Sequence, residues 1–185
     1  MIYESYPWKQ DLYQRKRQII KNNTAENFSK NEDKAYTNIE KAIFYSAFII
    51  RKLIDCGGKM SDAADKYSFE VHAIKPHKQI TRMSCTPNED SHDWENERKV
   101  TVQGKSICNS LIHSFIFSVL INEEGTVDSF LVSSDFDKNK VLYRVDLAEW
   151  IKYIDFIASD SVVRLESHYD EKSNDWIYTC KVRGN

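Results

Sequence analysis

The sequence predicts an α+β fold: an N-terminal helical hairpin packed on a mostly antiparallel sheet, with one or two further helices. Three observations carry this. Apolar residues recur at helical spacing through 36–54. Residues 105–160 hold the densest apolar patterning, and it switches between strand-like and helix-like periods. Between two of the strand-like runs stands Asn122-Glu123-Glu124-Gly125, a hairpin turn with glycine where a positive φ is needed. The chain reads as one domain over 1–185, divided into a helical hairpin at 1–58 and a mixed α+β body at 59–185.

In chain order, Ser5-Tyr6-Pro7 reads as a helix start, with Ser5 as cap and Pro7 in the first turn. Trp8, Leu12, Ile19 and Ile20 form its apolar face, and Lys9, Arg15, Lys16, Arg17 and Lys21 a basic one. Residues 22–30 are a polar connector, and Ser29 with Glu32 matches a capping box. The next helix carries Tyr36, Ile39, Ile43, Ala47, Ile50 and Ile54. Phe44, Phe48 and Leu53 widen that stripe, so the helix should be buried against both helix 1 and a sheet. Arg51 and Lys52 lie in its last turn, and Gly57-Gly58 ends it.

Residues 69–73 alternate as a strand, and 99–103 read as another. Between them, 86–98 combines carboxylates, Pro, Asn and Ser with little that is apolar except Trp94, which predicts a solvated, mobile loop. A short helix follows at 105–113, then strands at 115–121, 127–133 and 141–145. Asp146 and Glu149 cap a helix at 147–158 with the stripe Leu147, Trp150, Ile151, Ile154 and Ile157. Residues 162–169 and 176–182 form a last hairpin. The expected sheet has about five to seven strands.

Charged residues make up 29% of the chain with both signs mixed, and the net charge of −2 singles out neither nucleic acid nor membrane as a partner. The N-terminus has no apolar leader, and the longest apolar run is too short to span a bilayer. Cys56, Cys85, Cys108 and Cys180 form no Cys-x-x-Cys pair, and Cys108 and Cys180 sit in apolar patterns as buried thiols. The expected location is the cytoplasm.

Motif by motif, no cofactor or metal emerges. Gly104-Lys105-Ser106 resembles the end of a phosphate-binding loop, but the required earlier glycine is Lys99. Asp135, Asp137 and Asn139 are spaced as in a calcium loop, but its glycine position is Lys140, so an Asx-rich connection is the better reading. Asp90, His92 and Asp93 have ligand chemistry but are expected to be solvated. The basic helix from Lys9 to Lys21 would suit phosphates, or be neutralised within the fold; its basic run has no interleaved aromatics for stacking.

One cluster remains. Antiparallel pairing across the 122–125 turn places His113 and Asp135 on the same rim. Two functional readings follow. The first is a non-catalytic protein-binding or regulatory module, with a protein partner or a second copy of the chain, anchored by Tyr3, Tyr6 and Trp8. The alternative is a small hydrolase or nuclease. There His113 is the general acid/base, Asp135 orients it, Arg51 stabilises an anion, and Asn109, Ser134 and Lys105 bind substrate.

Overall fold

The structure, a computed structural model, describes residues 2–181. It is α+β, with helices covering one face of an antiparallel five-stranded sheet. Helix α1 (Ser5–Asn22) leads through a short α2 (Ala25–Lys30) into the long α3 (Glu32–Asp55). After α4 (Asp62–Lys66) come β1 (Ser68–Ile74), β2 (Arg98–Gln103) and α5 (Gly104–Ile112). Strands β3 (Ser114–Ile121), β4 (Val127–Ser134) and β5 (Leu142–Asp146) precede α6 (Leu147–Ser159). The chain closes with β6 (Arg164–Asp170) and β7 (Asp175–Lys181). Val182, expected to end the last strand, lies outside the described residues.

The sheet order is β2-β1-β5-β4-β3. The hairpin β6–β7 is a separate two-stranded sheet, so the predicted strands divide five and two. Gly125 takes φ 74° in the β3–β4 turn, where Asn122 Oδ1 accepts from the amides of Glu124 and Thr126.

Three details at the N-terminal half differ from the sequence reading. Ser5 is the first helical residue of α1 and Glu4 its cap. Residues 25–30 form α2 rather than a connector, started by Thr24 Oγ1 accepting from Asn27 N at 3.2 Å. That places Ser29 inside a helix, and the cap of α3 is Asn31, whose Oδ1 accepts from Lys34 N at 2.9 Å. As expected, α3 is buried against α1 and the sheet. It packs on α1, α5 and, less, α6, and shares the core with sheet residues such as Phe130 and Val132. Its Phe44 ring lies tilted against Phe117 of β3, 4.7 Å away.

The main core lies between helices and sheet. Trp150, Tyr153 and Phe130 are fully buried in it, and the Trp150 indole donates to Ser46 Oγ of α3 at 3.1 Å. Each such side chain contributes about 1.5–3 kcal/mol by leaving water. A second, smaller apolar cluster occupies the other face: Ile74, Ile80, Ile116, Leu131 and Leu142. The β1–β2 connection covers it. This corrects the expectation of a solvated loop at 86–98, since Ser91 and His92 are buried there. The loop is tied down by Asp93 N to Lys75 O (2.8 Å), His77 N to Ser91 O (3.0 Å) and the Trp94 indole to Asn88 O (2.9 Å).

Candidate functional site

The rim residues meet by backbone, not by side chain. His113 caps α5 and its carbonyl accepts from the Asp135 amide at 3.0 Å, so the predicted juxtaposition of strand ends is present. Both residues are exposed. The Asp135 carboxylate takes Lys138 Nζ at 2.6 Å, and among the described residues no hydrogen bond or ion pair joins it to the His113 ring. Ser134 is buried and its hydroxyl donates to Asp137 Oδ2 at 2.9 Å. Asn139 Oδ1 accepts from Ile80 N at 2.7 Å, and Asp137 also meets Lys140. These oxygens therefore hold the connection together, as an Asx-rich turn does.

Arg51, Asn109 and Lys105 form a different group, a seam between α3 and α5. Arg51 Nε donates to Asn109 Oδ1 at 2.7 Å, and its guanidinium pairs with Asp55 one turn on. Lys105 pairs with Asp65 at 2.9 Å and Asp55 at 3.7 Å. Each cation has a carboxylate, so the seam is locally neutral. Beneath it, burial pushes the Cys108 thiol well above its ordinary pKa, although the Arg51 charge pulls the other way. Cys180 is also buried and likewise raised.

A further concavity lies elsewhere. A groove of about 690 Å³ runs between α1, α2 and α3. Five cations line it: Arg15 and Lys21 from α1, Lys30 from α2, Lys34 and Lys41 from α3. Among the described residues no carboxylate does. Among the same residues the four lysines have no ion pair, and the only acid paired with Arg15 is Asp11 at 4.0 Å. Arg15 lies 5.6 Å from the centre of the exposed Tyr45 ring, and its buried Nε has no hydrogen-bond partner.

Amide side chains knit the walls. Asn38 Nδ2 donates to Asn22 Oδ1 at 2.9 Å, tying α3 to α1, and Asn27 Nδ2 donates to Lys21 O at 2.8 Å, tying α2 to α1. The groove is thus a braced trough with free positive charge, the arrangement that draws an anion.

The sequence reading of a basic helix 1 captures half of this. Lys9 is buried and donates to the Asp160 carbonyl just past α6 at 2.5 Å, and Lys16 pairs with Asp155 of α6 at 2.6 Å, so these two cations are satisfied within the fold. Arg15 and Lys21 face the groove instead. A sequence signal for the rest exists: Lys34, Asn38, Lys41 and Tyr45 fall at i, i+4, i+7 and i+11, one polar face of α3. Comparison with protein families, curated proteins and solved structures returned no match.

Proposed function

We propose that the protein is a non-catalytic binding module whose ligand is single-stranded nucleic acid, held in the groove between α1, α2 and α3. The observation that carries this is the lining of five cations with no acid among them. Several phosphates in a row satisfy such a lining, because each lysine can take one without displacing an internal carboxylate. Along α3, Lys34 and Lys41 are seven residues apart, roughly 10 Å at the helical rise. That spacing suits a chain of phosphates better than a single one. Packed helices lie roughly 8–10 Å apart, so the trough is on the scale of one strand rather than a duplex. Tyr45 supplies the aromatic face that the basic run of α1 lacks, and stacking on it is tolerant of base identity.

Fluorescence anisotropy with a labelled oligothymidylate tests the reading. Binding should fall about a hundredfold between roughly 50 and 200 mM salt if all five cations take phosphates, from a slope near −0.7 per contact. Lys34→Glu with Lys41→Glu should abolish it, and Arg17→Glu, on α1 but outside the groove, should not. Binding that ignores the double variant, or no binding at the lower salt, would sink the proposal.

A further inference from the structure

The β6–β7 hairpin leaves its pairing incomplete on one side. β7 is anchored to the body: Cys180 is buried, its amide donates to Asp62 Oδ1 at 3.0 Å, and the Tyr178 ring lies against Gly57. Among the described residues β6 pairs with β7 alone, and all its residues but Asp170 are exposed. A two-stranded sheet by itself is marginal in water, and an unpaired edge is a template for another strand. The edge also carries apolar surface, with Leu165, Tyr169 and their neighbour Trp176 each about half exposed.

The β6 sequence complements itself. In an antiparallel pair centred on Ser167, Arg164 stands opposite Asp170 of the second copy, Glu166 opposite His168, and Leu165 opposite Tyr169. Arg164 and Asp170 are of opposite charge, the His168 ring N–H can donate to the Glu166 carboxylate, and the apolar pair continues one face. Neighbouring registers lose this. Centred on His168, Glu166 meets Asp170, and centred on Glu166, Arg164 meets His168.

The backbone has the matching parity. Because the Cys180 amide points out to Asp62, its cross-strand partner Leu165 belongs to a pair that does not exchange hydrogen bonds. The polar backbone groups of Leu165, Ser167 and Tyr169 therefore face away from β7, towards the free edge. Those are the residues that must exchange hydrogen bonds in a pair centred on Ser167.

We propose that two copies of the chain associate by antiparallel pairing of their β6 edges about a twofold axis at Ser167, forming a continuous β7-β6-β6-β7 sheet. The interface is isologous, as a closed dimer requires, and uses main-chain bonds for affinity and the charge order for register.

Sedimentation velocity of the whole chain over a wide concentration range tests this, with two charge variants. Glu166→Lys places lysine opposite His168, and His168→Glu places two glutamates opposite each other, so each variant alone should be monomeric where the unaltered chain is a dimer. An equimolar mixture of the two should recover the dimer. Across the axis, the lysine introduced in one chain then faces the glutamate introduced in the other, and the unaltered His168 faces the unaltered Glu166. Circular dichroism of each variant checks that the fold is kept. A chain that stays monomeric at every concentration, variants that dimerise as the parent does, or a mixture that stays monomeric would each overturn the proposal.

Discussion

Gly104 lies so close to the ring of Tyr153 that a Cβ at that position would stand 2.3 Å from the ring Cζ and 2.7 Å from the hydroxyl oxygen. The glycine that opens α5 is therefore required by packing. Its resemblance to the end of a phosphate-binding loop is a consequence of a strand-to-helix junction pressed against a fully buried tyrosine.

Gly104→Ala should therefore cost about 1–3 kcal/mol, since the ring is enclosed by Tyr67 and Trp150 and has little room to withdraw. Urea unfolding measures the loss. In a Tyr153→Leu background most of the penalty should disappear, because the obstructing atoms are gone. An unchanged penalty there would place the strain elsewhere.

Two lysines of α1 that look alike in sequence should differ in weight. Lys9 reaches the carbonyl of Asp160, whose carboxylate in turn accepts from Ser61 N at 2.8 Å and Ser61 Oγ at 2.5 Å. Lys9→Ala leaves a buried carbonyl unpaired, at a cost of about 1–3 kcal/mol. Lys16 and Asp155 form a partly exposed pair, and Lys16→Ala should cost about 1 kcal/mol or less. Denaturation of both variants under one condition gives the comparison, and equal losses would contradict it.

Periodicity made the helices and strands legible. Ile39, Ile43 and Ile50 mark α3, and Gly125 marks the β3–β4 turn, because burial and a positive φ leave local traces. Capping was less legible. Thr24, Ser29 and Asn31 are all competent caps within eight residues, yet Thr24 starts α2 and Asn31 starts α3, while Ser29 lies inside α2. The groove was illegible for a different reason. Its charges come from three helices, and only tertiary packing decides that Arg15 and Lys21 face Lys34 and Lys41 while Lys9 and Lys16 turn to α6. The covered second face did leave a trace: Phe115 to Ile121 is apolar on both faces, which an uncovered sheet does not need.

The rim pair makes a test of its own. His113 and Asp135 are adjacent through the backbone, and the carboxylate is held by Lys138. His113→Ala and Asp135→Ala should each change stability by no more than about 0.5 kcal/mol, as substitutions at exposed positions do. Their double-mutant coupling should be close to zero. A coupling of about 1 kcal/mol or more would mean that the two side chains interact in solution, and would favour the hydrolase reading of the rim.

His92 should give the fold a measurable pH dependence. It is only 1% exposed, its Nδ1 is 2.8 Å from Ser91 Oγ, and its buried Nε2 has no partner. An imidazolium would need an acceptor at that nitrogen. Burial, and secondarily the nearby His77, lower its pKa below the ordinary 6.5. Above about pH 6.5 the ring is neutral in both folded and unfolded chains and contributes no slope. Below that value the unfolded chain binds a proton here that the folded chain does not. Stability is therefore lost as pH falls from about 6.5 towards the lowered value, at up to about 1.4 kcal/mol per pH unit. Other groups titrate over the same range, so the informative quantity is the difference from His92→Asn, which has no such proton to bind. The advantage of the parent chain over that variant should shrink between about pH 7.5 and about pH 5.5. A difference that stays constant over that range would mean that His92 takes up its proton equally in both states, and that the loop over the second face of the sheet accommodates the charge.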